Sequence, residues 1–355
     1  MAAFGEIVSL AGAQDHEAAW RELAQRADPN PFGEAEFVLP ALEQFGGAQL
    51  AFVWAGPDRG ALIAVAALSP PPARFGFARV WRSEQAALAA WLIDPTAARA
   101  AFKGLAWVVR HLYPFCAGFI VPRVAAEGAL ARAPEPAEIF NRVRRAAVDF
   151  ASSETASPKR NKEWGRLRRR LAERGALETR ASGDAAAFER FLALEAKGWK
   201  GVRGTALVSA PERAAFARAT AAGFSGRCRL AVHELLSDGA PIAVGVLLIA
   251  NRRAFFWKIA YDEGYAAFSP GVLLTLALTL SLAESGEVDL IDSCATQDHP
   301  MIDHVWTGRL EFVDLAIPNG AAPFFEPWLV WERNAPRLKE EIKRVLLPLL
   351  GRKRS

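Results

Sequence analysis

The sequence predicts a mixed α/β fold, with mixed-direction sheets, laid out in two successive halves. Three observations carry this. Runs of β-branched and aromatic residues alternate along the chain with capped, amphipathic helical stretches. Between Arg253 and Asp292 the text RAFFWKIAYDEGYAAFSPGVLLTLALTLSLAESGEVDLID reads as strand, loop, helix and strand. At 355 residues and 52% hydrophobic content, the chain is long for one core and has apolar material for two halves.

In the first half, Ala48 to Trp54 and Ala61 to Leu68 are β-rich runs separated by the turn signal GPDRG, which predicts a hairpin. Asp94-Pro95 opens a helix that runs through His111, with Phe102, Leu105, Val109 and Leu112 on one side. A buried strand is expected at Phe115 to Val121. Pro134 to Phe150 then reads as a helix, because Ile139, Val143 and Ala147 fall in phase. The polar stretch ASSETAS, 151–157, is the best linker. It divides the chain into halves 1–150 and 151–355.

A basic helix follows over 157–175, capped by Ser157, started by Pro158 and ended by Gly175. Trp164, Leu167 and Leu171 form its apolar stripe. Its basic face is either a solvated surface or a surface for an acidic substrate, cofactor phosphates or RNA. Gly175 to Arg180 is a short strand. Asp184 caps a helix running towards Lys200, on whose apolar stripe Glu195 falls beside Phe191 and Trp199. An inward carboxylate is costly unless paired or used. Glu195 is therefore either a general base or the partner of an Arg. The text GWKGVRGTAL, which includes Trp199 and Lys200, suits a mobile loop near a ligand.

Pro211 to Phe224 is a helix. Three strands follow as a meander: Arg227 to Leu236, Pro241 to Ala250 and Arg253 to Tyr261. Strict alternation in the last puts Lys258 on one face with Phe256 and Ala260, and Trp257, Ile259 and Tyr261 on the other. The next helix starts at Ser269-Pro270-Gly271, with Ser269 as N-cap, Pro270 as first residue and Gly271 open to close approach. The amides of Gly271, Val272 and Leu273 would then point outward and favour a phosphate or carboxylate, although the same text also serves an ordinary cap. Glu287 to Ser293 is a strand with Asp292 near its carboxyl end, where ligands gather in α/β sheets. Asp298, His299, Asp303 and His304 lack metal-ligand spacing, so no metal is expected. A capped short helix with substrate-facing Asp298 and His299 is the better reading. A strand at Arg309 to Ile317, a helix to Leu350 and a basic tail close the chain.

Composition narrows the function classes. No run reaches the roughly 18–20 apolar residues that span a bilayer, and the first twenty residues do not read as a signal peptide. Three widely spaced cysteines, Cys116, Cys228 and Cys294, fit a reducing, cytoplasmic compartment. The net charge is +4, yet 157–175 alone holds eight Lys/Arg against two Glu. A nucleic-acid reading therefore rests on that one helix.

The order helix, GWKG loop, helix, meander, FSPGVLL helix and VDLIDSC strand, over about Ala151 to Ile317, resembles the FemAB-like branch of the GNAT acyltransferases. That branch includes the CelD-type proteins linked to polysaccharide synthesis. The first half, including VWRSEQAALAAWLID, is similar to the degenerate N-terminal half of those proteins. The resemblance implies tandem GNAT folds, the first degenerate, and acyl transfer from acyl-CoA, acetyl-CoA above all, to an amine on a small molecule or sugar. Gly271 holds the central glycine of the family's pyrophosphate turn. Phe268 stands where Arg or Gln is usual, and Leu273 where Gly or Ala is usual.

On this reading Glu195 or Asp292 is the base, Tyr261 the acid, and Trp199, Lys200, Lys258, Asp298 and His299 hold substrate. Ser269, Gly271, Val272 and Leu273 hold the donor. Two rivals remain: an aminoacyl-tRNA donor that uses the arginine-rich helix, and a non-catalytic binding protein of the polysaccharide machinery.

Overall fold

The computed structural model describes residues 3–127, 137–152, 158–320 and 324–335. The expected Ser157 cap, the start of the predicted helix at Pro134, most of the ASSETAS linker and the chain beyond 335 lie outside them.

The N-terminal elements are β1 (Ala3–Val8), α1 (Leu10–Gln14), α2 (Glu17–Arg26), α3 (Ala35–Phe45), β2 (Gln49–Ala55), β3 (Leu62–Ser69), β4 (Phe77–Val80), β5 (Trp91–Ile93), α4 (Ala98–Leu112), β6 (Gly118–Ala125) and β7 (Glu138–Asp149). Next come α5 (Pro158–Ala172), β8 (Leu177–Ser182), α6 (Ala185–Lys197), α7 (Trp199–Val202), α8 (Pro211–Ser225), β9 (Leu230–Ser237), β10 (Ala240–Ala250) and β11 (Arg253–Tyr261). The last are α9 (Pro270–Ser285), β12 (Leu290–Asp292), α10 (Ile302–Val305) and β13 (Gly308–Pro318), and the chain is again helical over 325–335. The mixed α/β class is the one expected from the sequence.

Among the described residues, all 13 strands join one mixed sheet, in the order β1-β2-β3-β4-β6-β13-β7-β12-β11-β10-β9-β8, with β5 on β3. β13 comes from the end of the chain yet lies between β6 and β7, antiparallel to both. β7 in turn pairs with β12. The cores follow the faces of this sheet. α4 covers one face at the N-terminal end, while α6 and α8 cover a face of β9–β11, and α9 and α10 cover the other. Phe32 and Phe37, from the first half, are fully buried in the α6/α8 core, Phe32 against Phe255 and Phe37 against Phe216 and Trp257.

One predicted element is of the wrong type. Glu138–Asp149 is a strand, not a helix. Its arginines and small residues carry no strong β preference, and a spacing of four matches both periods. Pairing with β13 and β12 on its two edges supplies what local preference does not. Arg142 and Arg144 then reach Glu311 on β13. The helix expected to run from Asp184 to Lys200 breaks at Gly198 into α6 and α7, while Asp184 caps it as expected, accepting the Ala187 N–H at 2.7 Å.

Candidate functional site: the open edge of β11

β11 pairs with β10 along its length but with β12 only at Arg253–Phe255. Beyond Phe255 the two strands part. Asp262 N–H donates to Ile242 O at 2.8 Å, so by strand alternation the backbone groups of Ile259 and Tyr261 face the side that β12 has left. Unpaired strand groups of this kind offer a ladder to an amide-bearing ligand.

A β-bulge re-aims the side chains there. Val246 faces Lys258 and Leu247 faces Phe256, which leaves Trp257 as the extra residue. The face assignment predicted by strict alternation is therefore wrong. Phe256 shares the α9 face with Ile259 and Tyr261, while Trp257 joins Phe255 and Ala260 on the α6/α8 face. Lys258 falls on that second face. Its Nζ donates to Gln85 Oε1 at 2.8 Å and lies 5.5 Å from the centre of the Trp257 ring. Trp257 Nε1 donates to Gln85 O at 2.7 Å. Burial, and next the nearby Lys200 charge, push the Lys258 pKa down to about 8. Gln85 was not found by sequence reasoning. Only the resemblance of VWRSEQAALAAWLID to a known N-terminal half hinted at its region.

The two predicted carboxylates are both buried and both paired. Glu195 is 4% exposed, with Oε1 at 2.8 Å from Lys200 Nζ and Oε2 accepting the Leu207 N–H at 2.8 Å. Its partner is thus a lysine rather than an arginine. The same Lys200 Nζ donates to Ile259 O at 3.2 Å, so the pair sits on the open edge. Asp292 ends β12 and is fully buried. Its Oδ2 lies 2.6 Å from Arg145 Nη2, and its Oδ1 accepts the Cys294 N–H at 3.0 Å. Burial alone would lower the Arg145 pKa, but the Asp292 charge holds it above its ordinary value. Arg145 also stacks 4.0 Å from the centre of the Phe312 ring. Burial, with Asp292 beside it, raises the Cys294 thiol well above its usual range and keeps it protonated.

The start of α9 corrects two expectations. Ser269 is left-handed, at φ 52°, and its side chain makes no cap. The Val272 and Leu273 amides are not free: both donate to Ser269 O, at 3.0 and 3.1 Å. Gly271 N–H is left as the unpaired amide of that turn. Gly271 is buried, and a Cβ there would lie 3.4 Å from Met301 Sδ, 3.5 Å from Ile259 Cδ1 and 3.8 Å from Tyr261 Cδ1. A methyl there would make ordinary contacts, so packing alone does not demand glycine, but the turn lies directly against the open edge. Phe268 precedes it, 7% exposed, and two arginines, one at the end of α5 and one just after it, reach over it. The Arg170 and Arg174 guanidinium carbons lie 5.7 and 5.6 Å from the ring centre. Cationic charge therefore flanks the turn although no Arg stands at 268.

The remaining predicted residues sit apart. Trp199 is exposed, its N–H held by Glu263 Oε1 at 2.5 Å and its ring beside Arg203. His299 Nδ1 accepts the Met301 and Ile302 amides at 3.3 and 3.4 Å, which caps α10, and Asp298 is exposed. Neither hydrogen-bonds to Glu195, Lys200, Lys258 or Asp292.

Residues 158–299 match the family model described as an acetyltransferase (GNAT) domain. This stretch contains α5, the open edge, Glu195, Lys200, Lys258, the α9 turn and Asp292. Solved structures match over nearly the whole chain. One described as FemX aligns with TM-score 0.56 at 11% identity, covering 87% of this chain and 96% of that one. The C-terminal domain of a putative lysylphosphatidylglycerol synthetase from Agrobacterium fabrum gives 0.51 at 12%, covering 92% and 96%. L-PGS from Bacillus licheniformis gives 0.50 at 12%, covering 92% and 98%. At these identities the likeness is one of fold. No curated protein matches the sequence significantly. Among the described residues, no helix is long and apolar enough to cross a membrane.

Proposed function

We propose that the chain is an N-acyltransferase that moves an acyl group from acyl-CoA to an amine. The observation that carries this reading is the edge of β11 at Ile259 and Tyr261, which β12 does not pair and where Lys200 reaches Ile259 O, beside the α9 turn and within the segment that matches an acetyltransferase domain. The donor's amides extend the β11 edge and its thioester carbonyl comes to lie near Tyr261. Gly271 N–H together with Arg170 and Arg174 receives the phosphates. The amine nitrogen attacks the thioester carbon, the C–N bond forms and the C–S bond breaks. The amine proton passes to Glu195, whose partner Lys200 marks the edge, and the Tyr261 hydroxyl protonates the leaving thiolate. Lys258, as a cation, stabilises the developing oxyanion. Asp292, fully buried against Arg145, holds the end of β12 rather than touching substrate. Trp199, Asp298 and His299, which sit apart from these groups, take no part in the step. The acceptor is an amine on a small molecule or sugar, in cytoplasmic steps of polysaccharide or envelope synthesis, and 1–150 acts as a degenerate partner half.

The test is thermal stabilisation by acetyl-CoA, longer acyl-CoAs and free CoA, because a ligand bound only by the folded state raises the melting temperature. Wild type is expected to shift. Gly271→Glu, which sets a charge and extra bulk into the turn, is expected to fold with a lower melting temperature and show no shift. Absence of any shift in wild type would defeat the acyl-CoA reading. A second reading, transfer from aminoacyl-tRNA, draws support from the exposed arginines of α5. Activity that survives RNase treatment excludes it.

A further inference from the structure

Three arginines converge beside Lys258 with too few carboxylates to match them. Two of them hold the loop between β4 and β5 that also positions Gln85. Arg82 Nη1 donates to Ala86 O at 3.4 Å and Arg145 Nη1 to Ala87 O at 3.3 Å, next along the chain from the Gln85 that receives Lys258. Asp292 engages Arg145 through Nη2, while Arg145 Nε is buried without a partner in a residue only 6% exposed. Arg123, on β6, has a buried Nη1 that is also unpartnered. Among the described residues, neither Arg82 nor Arg123 forms an ion pair. Buried donors left unmade in this way call for a reason. Arg82 is exposed, yet the surrounding protein strips water from its guanidinium and Arg123, next in weight, repels it, so its pKa is lowered. Asp314 opposes that shift and Arg145 adds to it, so the four groups feel one another's charge.

The sheet is irregular where Arg123 leaves it. The pairing of β13 slips around Asp314 on both edges, against β6 and against β7. The residues flanking it, Arg123 at φ 58° and Asn141 at φ 54°, are left-handed. Both turn donors onto one carboxylate: Arg123 N–H donates to Asp314 Oδ1 at 2.9 Å and Asn141 Nδ2 to Oδ2 at 2.8 Å. Neutral groups thus satisfy Asp314, and the Arg123 guanidinium is free for another anion. Bulges that re-aim a side chain are frequent beside functional sites.

Charge sets the class of ligand. Arg145 is balanced by Asp292 and Lys200 by Glu195. Arg82 and Arg123 share the single Asp314, so positive charge is left over beside Lys258. Guanidinium forks match the oxygens of a carboxylate or a phosphate. Arg82 lies three residues from Gln85, at most about 11 Å of extended chain.

We propose that Arg82 and Arg123, with Arg145 behind them, bind an anionic group of the acceptor, a carboxylate or a phosphate, while its amine reaches Glu195 at the β11 edge. The amine's role rests on the acyl-CoA reading above, and the anion adds the acceptor's charge class to it.

Calorimetric titration of the full chain with inorganic phosphate and with acetate, at fixed ionic strength, tests the anion site without any donor. At least one is expected to bind, and the tighter of the two names the group that the acceptor carries. Arg82→Gln and Arg123→Gln should each weaken it at least tenfold. Arg82 is exposed, so its replacement keeps the test valid if the other variant folds poorly. Saturating free CoA and Gly271→Glu should leave the anion's affinity unchanged. Binding of neither anion, or binding that free CoA or Gly271→Glu removes and the arginine variants do not, overturns the site. With acetyl-CoA as donor, kcat/KM for glucosamine 6-phosphate or its C6-carboxylate counterpart should exceed that for glucosamine at least tenfold, and Arg82→Gln should bring the ratio towards one. No preference, whether from equal rates or from no turnover of any of the three, overturns the acceptor role. If no CoA species binds, yet phosphate or acetate binding still depends on Arg82, the acyl-CoA reading falls while the anion site stands.

Discussion

At the scale of single residues, the site is a set of charges that burial has committed to partners. Glu195 and Asp292 each have an ion-pair partner, and removing one member of a buried pair costs about 3–5 kcal/mol. Lys258 differs, because it donates to the neutral Gln85 amide and its pKa lies at about 8. If its positive charge serves the oxyanion, turnover falls as pH rises through about 8. Lys258→Met should lower kcat by about 10²-fold and erase that limb, as a pH–rate profile will show. The stability sign is the reverse. Between about 8 and the ordinary lysine value of 10.5, the unfolded chain holds a proton that the folded chain has released, so the fold gains stability as pH rises through that window. His233, 6% exposed, is held by burial at about 4 in place of 6.5. The unfolded chain takes up that proton first on acidification, so stability is lost as pH falls from 6.5 to 4, by at most ~3 kcal/mol. Denaturant titrations at pH 7 and pH 4.5 should show a smaller acid loss in His233→Leu than in wild type.

At the scale of elements, what local sequence could reveal was what local physics decides. The Asp184 cap, the Pro211 start of α8, the β9–β11 meander and the Trp164/Leu167/Leu171 stripe of α5 all follow from nearest-neighbour signals, and all are present. The misreadings share a different cause. β7 is a strand because of partners more than 100 residues later in the chain, and the bulge at Trp257 swaps faces through a pairing offset that no alternation rule contains. Lys258 is thus set among other neighbours than alternation gives it. The α9 turn was located, yet its Ser269 hydroxyl was given a capping task that the carbonyl performs. Arg170, in α5, and Arg174, just after it, fall in a basic stretch that could have been mere solvated surface. Their place over Phe268 gives α5 a defined task at the α9 turn. Arg170→Ala with Arg174→Ala should weaken CoA binding at least tenfold and reduce its salt dependence, while Lys162→Ala changes neither. Calorimetry at two ionic strengths measures this.

At the scale of the whole molecule, the two stretches of chain do not stand side by side as separable bodies. β13 lies between β6 and β7, α3 packs on α8, and Arg229 is 2.5 Å from Glu34. Phe32 and Phe37 are fully buried in a core whose other members come mostly from beyond residue 187. Heat or denaturant should therefore unfold the chain in one transition. Calorimetric and van't Hoff enthalpies that agree would bear this out, and two resolved transitions would refute it. The same strand order sets a timetable for the nascent chain. β6 and β7 leave the ribosome with their neighbouring edges bare, and the strand that joins them is not complete until Pro318. At about 5–20 residues per second, that leaves sticky edges waiting for roughly 10–30 s. During that wait the half-made protein depends on chaperone cover, and rare-codon pauses placed before residue 308 would lower its soluble yield more than pauses placed after it.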